Sequence, residues 1–337
     1  MKKREIISVL LLIIVFAVAA YKHYHKLYGY EKDGFLMDTL ISIQIEAKSK
    51  QGDAVLDSAF AYIQKWDNEL SYYKEGSDIK KINTAKKAKI SKSIKKMLEI
   101  GKKISAQSDS LYDLAIGTLV DIWDFNNAKI PSKAKIYSAM QYAGFDKVKI
   151  EGDFLIKDEH TKINLGSIAK GYIVDKTSKW LQSKGVEKAI VNAGGDINIF
   201  GYNKAVKIGI QHPRKENGQI VGILEIKNKA VITSGDYERY FIKNGKRYHH
   251  IINPKTGYPA NESISVTVIS DNAYIADAYS TALFLLTPAK AKKLADSIPN
   301  LDVIIFYMKN GEIFYKKSVG MDKYLLKISD NNVKEEK

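Results

Sequence analysis

"AVITSGDYERYFIKNGKRYHHIINP", residues 230–254, reads as successive strands, with Ser-Gly-Asp turn chemistry and no helical period anywhere in it. Strands that follow one another without a helix between them pair antiparallel, because a parallel neighbour needs a crossover of about a dozen residues or more. Working outward, KAIVNAGGDINIFG (188–201), VKIGIQHP (206–213), IVGILEIKN (220–228) and SISVTVIS (263–270) are further strands. LDVIIFYMKNGEIFYKK (301–317) is a hairpin turning at Asn310-Gly311. DTLISIQIEA (38–47) alternates as a strand, and VKIEGDFLIKD (148–158) is a second hairpin. Helical patterns cover Asp53 to Leu70, Ser93 to Gln107, the start of KAKIYSAMQYAGF (133–145) and AYIADAYSTALFLL (273–286). INLGSIAKGYIVDKTSKWLQSKG (163–185) is expected to open as a strand, turn at Gly166 and run into a helix closed by Gly185. Many hairpins and few βαβ alternations make this α+β on antiparallel or mixed sheets.

With 45% apolar and 27% charged residues in 337, the chain can bury a sizeable core. Its net charge of +15 comes from 49 lysines and four arginines. Nucleic-acid readers favour the arginine fork, so the excess reads as solvated surface and no nucleic-acid partner is expected. Its densest run, Lys74 to Lys103, is a solvated face or an attraction toward anionic lipid. Without cysteine there are no disulfides, thiolate nucleophiles or Cys-ligated zinc.

Lys2, Lys3 and Arg4 precede an uncharged apolar run from Ile6 to Tyr21, the form of an export signal. It is expected as one apolar helix, a signal or retained membrane anchor over 1–28. The positive-inside rule then places the rest of the chain on the outer face of the cytoplasmic membrane. A catalytic domain is expected over 29–328 and a polar tail over 329–337.

No P-loop, dinucleotide-binding glycine motif, H-E-x-x-H or G-x-S-x-G occurs. Ser234 is either a nucleophile or part of a strand-end turn. Asp277 and Thr281, four apart on an apolar helix, are either a hydrogen-bonded pair or oxygen ligands for a hard cation such as Mg²⁺. Asn164, Ser167 and Lys170 stand at a strand-to-helix turn whose N–H groups suit phosphate, or at an ordinary helix start capped by Ser167. The glycine pair 194–195 admits a flat ligand or simply turns the chain. Asp113 is the odd acid in an apolar stretch. Adjacent His249 and His250 point to opposite faces of an extended segment, which leaves His249 expected at the surface.

In this order, the pieces resemble the FAD:protein FMN transferases of the ApbE type. The resemblance runs from about Met37 to the C-terminal hairpin. It rests on MDT (37–39), LSYYKEGSDIKKIN (70–83), YDLAIGTLVDIWDF (112–125), INLGSIAKGYIVDK (163–176), VNAGGDI (191–197), TSGDYERY (233–240), RYHHIINPKTG (247–257) and ADAYSTA (276–282). It implies an ApbE-like α+β fold of sheets and packed helices. It also implies a reaction in which FAD binds with Mg²⁺ and a Thr or Ser hydroxyl of a second protein takes FMN, leaving AMP. In that pattern Ser167 (by its carbonyl), Asp277 and Thr281 hold the metal. Met37, Tyr73, Asp113, Asn164, Lys170 and Ile252 touch FAD, and His250 is catalytic, an ordinary imidazole pKa suiting a base. The acceptor carries D-G-x-[ST]-G-A-[ST], which this chain lacks, so transfer is in trans. Water as acceptor would make the protein a FAD pyrophosphatase, and unchanged FAD would make it a membrane-tethered flavin-binding protein. Three positions depart from the family pattern: Asp38 replaces a usual Gly, and Asn164 and Asn253 stand where Asp is frequent.

Overall fold

A computed structural model describes residues 26–216 and 218–336, with Phe16 isolated before them. The apolar N-terminal segment therefore lies, apart from Phe16, outside the described residues. Within those residues no helix is long and apolar enough to cross a membrane.

The fold is α+β. Nine strands form one sheet and stand in it in chain order: β1 (Tyr28–Leu36), β2 (Thr39–Ala47), β3 (Val186–Ala193), β4 (Asp196–Phe200), β5 (Ala230–Gly235), β6 (Ser265–Ser270), β7 (Leu301–Lys309), β8 (Glu312–Lys317) and β9 (Lys334–Glu335). Neighbours from β1 to β8 are antiparallel. The end of the chain, expected as a polar tail, adds β9 in parallel to β8, where Glu335 accepts from the Tyr315 hydroxyl at 3.0 Å.

Helices and small sheets are inserted between these strands. Between β2 and β3 come α1 (Gly52–Leu70), α2 (Lys92–Gln107), two short helices at Gly117–Asp121 and Lys133–Met140, a small sheet holding the hairpin Val148–Glu151/Phe154–Lys157, and α3 (Ala169–Ser183). A three-stranded sheet built on Val206–Gln211 and Ile220–Ile226 follows β4. A two-stranded hairpin, Tyr240–Lys243 with Lys246–His249, follows β5, and α4 (Ala273–Phe284) lies between β6 and β7.

The side-chain period of two explains why the middle strands read as unbroken apolar runs. In β7, Val303 and Ile305 join the core packed under the helices, while Ile304 and Phe306 join a second core under the three-stranded sheet. A strand covered on both faces needs apolar residues at every position, and each fully buried aliphatic side chain contributes about 1.5–3 kcal/mol. At the β1–β2 edge only one face is covered: Ile41, Ile43 and Ile45 are buried, while Leu40 is 60% exposed.

One expected strand is absent. Residues 163–165 make no ladder, and at Ile163 the Asn83 side chain takes the place of a partner strand. Its Nδ2 donates to Ile163 O at 2.9 Å, and its Oδ1 accepts from Ile163 N at 2.7 Å. The helix that follows begins at Ala169, and Ser167 does not cap it.

Candidate active site

Segments inserted between the strands of the sheet, together with its turns, line a cavity of about 480 Å³. The ten residues that the ApbE resemblance implicates all line it: Met37, Tyr73, Asp113, Asn164, Ser167, Lys170, His250, Ile252, Asp277 and Thr281. They come from segments more than 200 residues apart in the chain, so the fold alone brings them together.

Two tight turns form one wall. Met37 and Asp38, the two-residue loop between β1 and β2, have φ of 54° and 57°, as a type I′ hairpin turn requires. The glycine pair 194–195 is the corresponding turn between β3 and β4, and a Cβ on Gly194 would fall 2.0 Å from the Thr39 hydroxyl. The pair therefore both turns the chain and lets the two loops touch.

Helices α3 and α4 form the floor. Gly171 N donates to Asp277 Oδ2 at 2.8 Å. A Cβ at Gly171 would lie 2.5 Å from Ala273 O, so only glycine allows this approach. Asp277 is 5% exposed, and burial raises its pKa, opposed by nearby Lys170. Ser234 Oγ lies 2.7 Å from Ser280 Oγ and 3.4 Å from Thr281 Oγ1, so the strand-end turn meets the helix face beside Thr281. The Tyr112 hydroxyl donates to Ser167 O at 3.3 Å and accepts from Ser167 Oγ at 3.1 Å, which holds the Ser167 carbonyl in place. The N–H groups at the start of α3 are largely spent internally, Ile168 and Ala169 on Leu165 O and Gly171 on Asp277. The start of α3 is thus not a free helix terminus open to an anion.

Lys170 is set among acids. Its Nζ is 3.4 Å from Asp196 Oδ2, an ion-pair distance at which that buried oxygen has no hydrogen bond. Burial opposes the lysine's charge, but Asp196, Asp277 and Glu238 outweigh it and raise its pKa. Burial raises the carboxyls of Asp196 and Glu238 in turn, against the pull of Lys170. Asp196 and Glu238 were missed from the sequence. The one legible signal was an acid directly after the glycine pair, at the head of the apolar strand DINIF.

The two histidines separate as alternation demands, but His249 is not at the surface. It is 3% exposed, its Nδ1 accepts from Ile251 N at 3.3 Å, and its Nε2 lies 2.6 Å from Ala260 O. The acceptor role of Nδ1 leaves the proton on Nε2, which donates to that carbonyl. His249 thus ties residues 249–260 into a closed loop, its ring edge-on to Phe284 at 5.6 Å. His250 opens onto the cavity. Desolvation by the surrounding protein, together with neighbouring His249, lowers its pKa to about 4. The ordinary imidazole value expected from the sequence does not hold here.

Asp113 is buried, which raises its pKa to about 6, while Ala115 N at 2.7 Å and Phe145 N at 2.8 Å supply one bond to each oxygen. Asn164 Oδ1 accepts from Gly166 N at 2.8 Å, and Asn253 Oδ1 accepts from Lys255 N at 2.9 Å. Both amides serve as turn acceptors, a role a carboxylate fills equally well. Tyr73 stands exposed beside Tyr72, while Ile252 is buried with Trp123 and Phe125, so the cavity has apolar and aromatic walls.

The sequence profile of the ApbE family matches residues 37–305. The chain belongs to the ApbE family. A curated relative from Klebsiella pneumoniae (strain 342), named FAD:protein FMN transferase, is 33% identical over 270 residues, covering 77% of this chain and 84% of that one. Among solved structures, the ApbE protein of Thermotoga maritima superposes with a TM-score of 0.78 at 30% identity, covering 88% of this chain and 99% of that one. The flavinyl transferase ApbE of Pseudomonas stutzeri, in its apo form, gives a TM-score of 0.76 at 26% identity, covering 88% of this chain and 96% of that one.

The three oxygens assigned to Mg²⁺ are compatible with it. A carboxylate, a hydroxyl and a carbonyl are hard donors, and Mg²⁺ commonly takes few protein ligands and completes its shell with phosphate and water. Among the described residues no group of three or more His, Cys, Asp and Glu side chains could hold a metal, so a metal here would take its remaining ligands from outside such a cluster.

Proposed function

We propose that this chain transfers FMN from FAD to a Thr or Ser hydroxyl of a second protein and releases AMP. The observation that carries the reading is the convergence on one cavity of a neutral histidine, a lysine kept charged by acids, and a buried carboxylate beside a hydroxyl and a carbonyl. In this reaction the acceptor oxygen bonds to the phosphorus on the FMN side as the bond from that phosphorus to the AMP oxygen breaks. Lys170 places a positive charge at the pyrophosphate. Met37, Tyr73 and Ile252 offer apolar surface to the flavin, and Asp113 holds the neighbouring loops in register. His250, neutral at physiological pH, takes the hydroxyl proton and then passes it on to water. Magnesium bound by Asp277, Thr281 and the Ser167 carbonyl would neutralise pyrophosphate charge.

The basic and then apolar N-terminus supports a further part of the reading, that the catalytic domain works on the outer face of the cytoplasmic membrane on exported acceptors. Incubating the protein with FAD, Mg²⁺ and a peptide carrying D-G-x-[ST]-G-A-[ST], then weighing the peptide, tests the chemistry. A flavinylated peptide with AMP is expected. Free FMN with unmodified peptide would make the protein a pyrophosphatase, and intact FAD would make it a binding protein.

A further inference from the structure

Beside the cavity stands the hairpin Tyr240–Lys243/Lys246–His249, whose strands pair only with each other among the described residues. Arg239 and His250, the residues entering and leaving it, both line the cavity, and His250 N donates to Arg239 O at 3.1 Å. Phe241 lies opposite Tyr248, and this pair stacks at 5.3 Å and turns in toward Trp123 and Phe125. On the other face Ile242 is 59% and Tyr240 41% exposed, with the Arg247 guanidinium 3.7 Å over the Tyr240 ring.

The charge pattern is equally one-sided. Arg239, Lys243, Lys246 and Arg247 fall within nine residues, and among the described residues none of them pairs with a carboxylate. Just upstream the opposite holds: Arg214 makes two 2.7 Å bonds to Asp236, and Lys215 pairs with Asp330. Of the nearest acids, Asp236 is thus taken and Glu238 faces Lys170 in the cavity. Arginine is also rare in this chain, yet two of its four copies are here, where a planar fork suits carboxylates.

We propose that this hairpin is the docking surface for the acceptor protein, and that it receives an acidic segment flanking the hydroxyl to be modified. The proposal rests on the reading of transfer in trans. A segment lying across the outer face covers Ile242, meets cations that have no carboxylate partner, and has its next residues delivered to His250, because the second strand runs directly into that residue. The same cations could attract a lipid surface, but their place at the mouth of the cavity favours a protein segment.

The test uses the full chain in detergent and two synthetic peptides with the same D-G-x-[ST]-G-A-[ST] core, one flanked by glutamates and one by lysines. The acidic peptide is expected to be used with roughly 10-fold higher kcat/KM, the difference lying in KM and shrinking with added salt. The double variant Lys243→Glu/Lys246→Glu, neither residue lining the cavity, should lose or invert that preference with kcat and FAD affinity unchanged. Equal use of both peptides by the wild type, or an undiminished preference in the variant, overturns the proposal. So does binding to phosphatidylglycerol vesicles that the variant loses while its peptide preference stays, which assigns the hairpin to the membrane. A wild type that hydrolyses FAD but modifies neither peptide refutes the transfer reading itself, and docking with it.

Discussion

Replacing His249 with alanine separates the histidine that holds the loop from the one beside it that faces the cavity. The imidazole bridges Ile251 N and Ala260 O, both in buried residues. Removing it leaves a donor and an acceptor unpaired, at about 1–3 kcal/mol each, and vacates a space against Phe284. A loss of about 3–5 kcal/mol follows, which for a domain of this size lowers Tm by on the order of 10 °C. Transfer should fall as well, because the loop that His249 closes carries His250 and Ile252. In His250→Ala, by contrast, Tm should stay at the wild-type value while transfer falls by roughly 10²- to 10⁴-fold, FAD affinity being little changed. Thermal unfolding by circular dichroism, run beside the peptide-mass assay, reads both quantities. A His249→Ala protein that melts with the wild type would refute the reasoning, since two buried hydrogen bonds would then carry no weight.

The remaining expectations concern metal, pH and backbone. Asp277→Ala removes the one charged metal ligand and should abolish Mg²⁺-dependent transfer with the fold intact, whereas Thr281→Ala, replaceable by water, should be milder; a magnesium titration of each variant decides. Burial raises the pKa of Asp277, so this carboxyl protonates at a higher pH than a free one and the metal site is lost as pH falls through that value. The acid limb of the rate profile should therefore move to lower pH as Mg²⁺ is raised, because proton and metal compete. A limb near the His250 value of about 4 that ignores magnesium would reassign it. Asp38→Gly relieves a left-handed residue in the β1–β2 turn and should stabilise by about 0.5–1 kcal/mol, read as a raised Tm; a lowered Tm would show that Asp38 makes a compensating contact.

How much of the site could be read beforehand depended on the kind of interaction. Asp277 and Thr281 were visible because a polar pair spaced four apart interrupts an apolar helix, whereas His250 was singled out by its place in the ApbE-like stretch RYHHIINPKTG, alternation only setting it apart from His249. The same alternation placed His249 at the surface, and that failed, since the face opposite a cavity can itself be covered. Asp196 and Glu238 gave almost no local signal, their importance being a matter of distance from Lys170. Residues 163–165 carried a strand's pattern, but a side chain 80 residues away, Asn83, occupied the hydrogen bonds of Ile163.

By itself the sequence determined what is set by period and local chemistry: α+β class, hairpin turns at glycine and asparagine, helices with apolar stripes, and the residue types able to bind an anion or a hard cation. Only the tertiary structure decided which acids surround one lysine, that Gly171 must be bare for two helices to meet, and that enclosure lowers the pKa of a histidine to about 4. The reason is physical. Propensity and periodicity act over a few residues along the chain, whereas desolvation, charge pairing and close approach depend on distances that exist only once segments far apart in the chain have packed together.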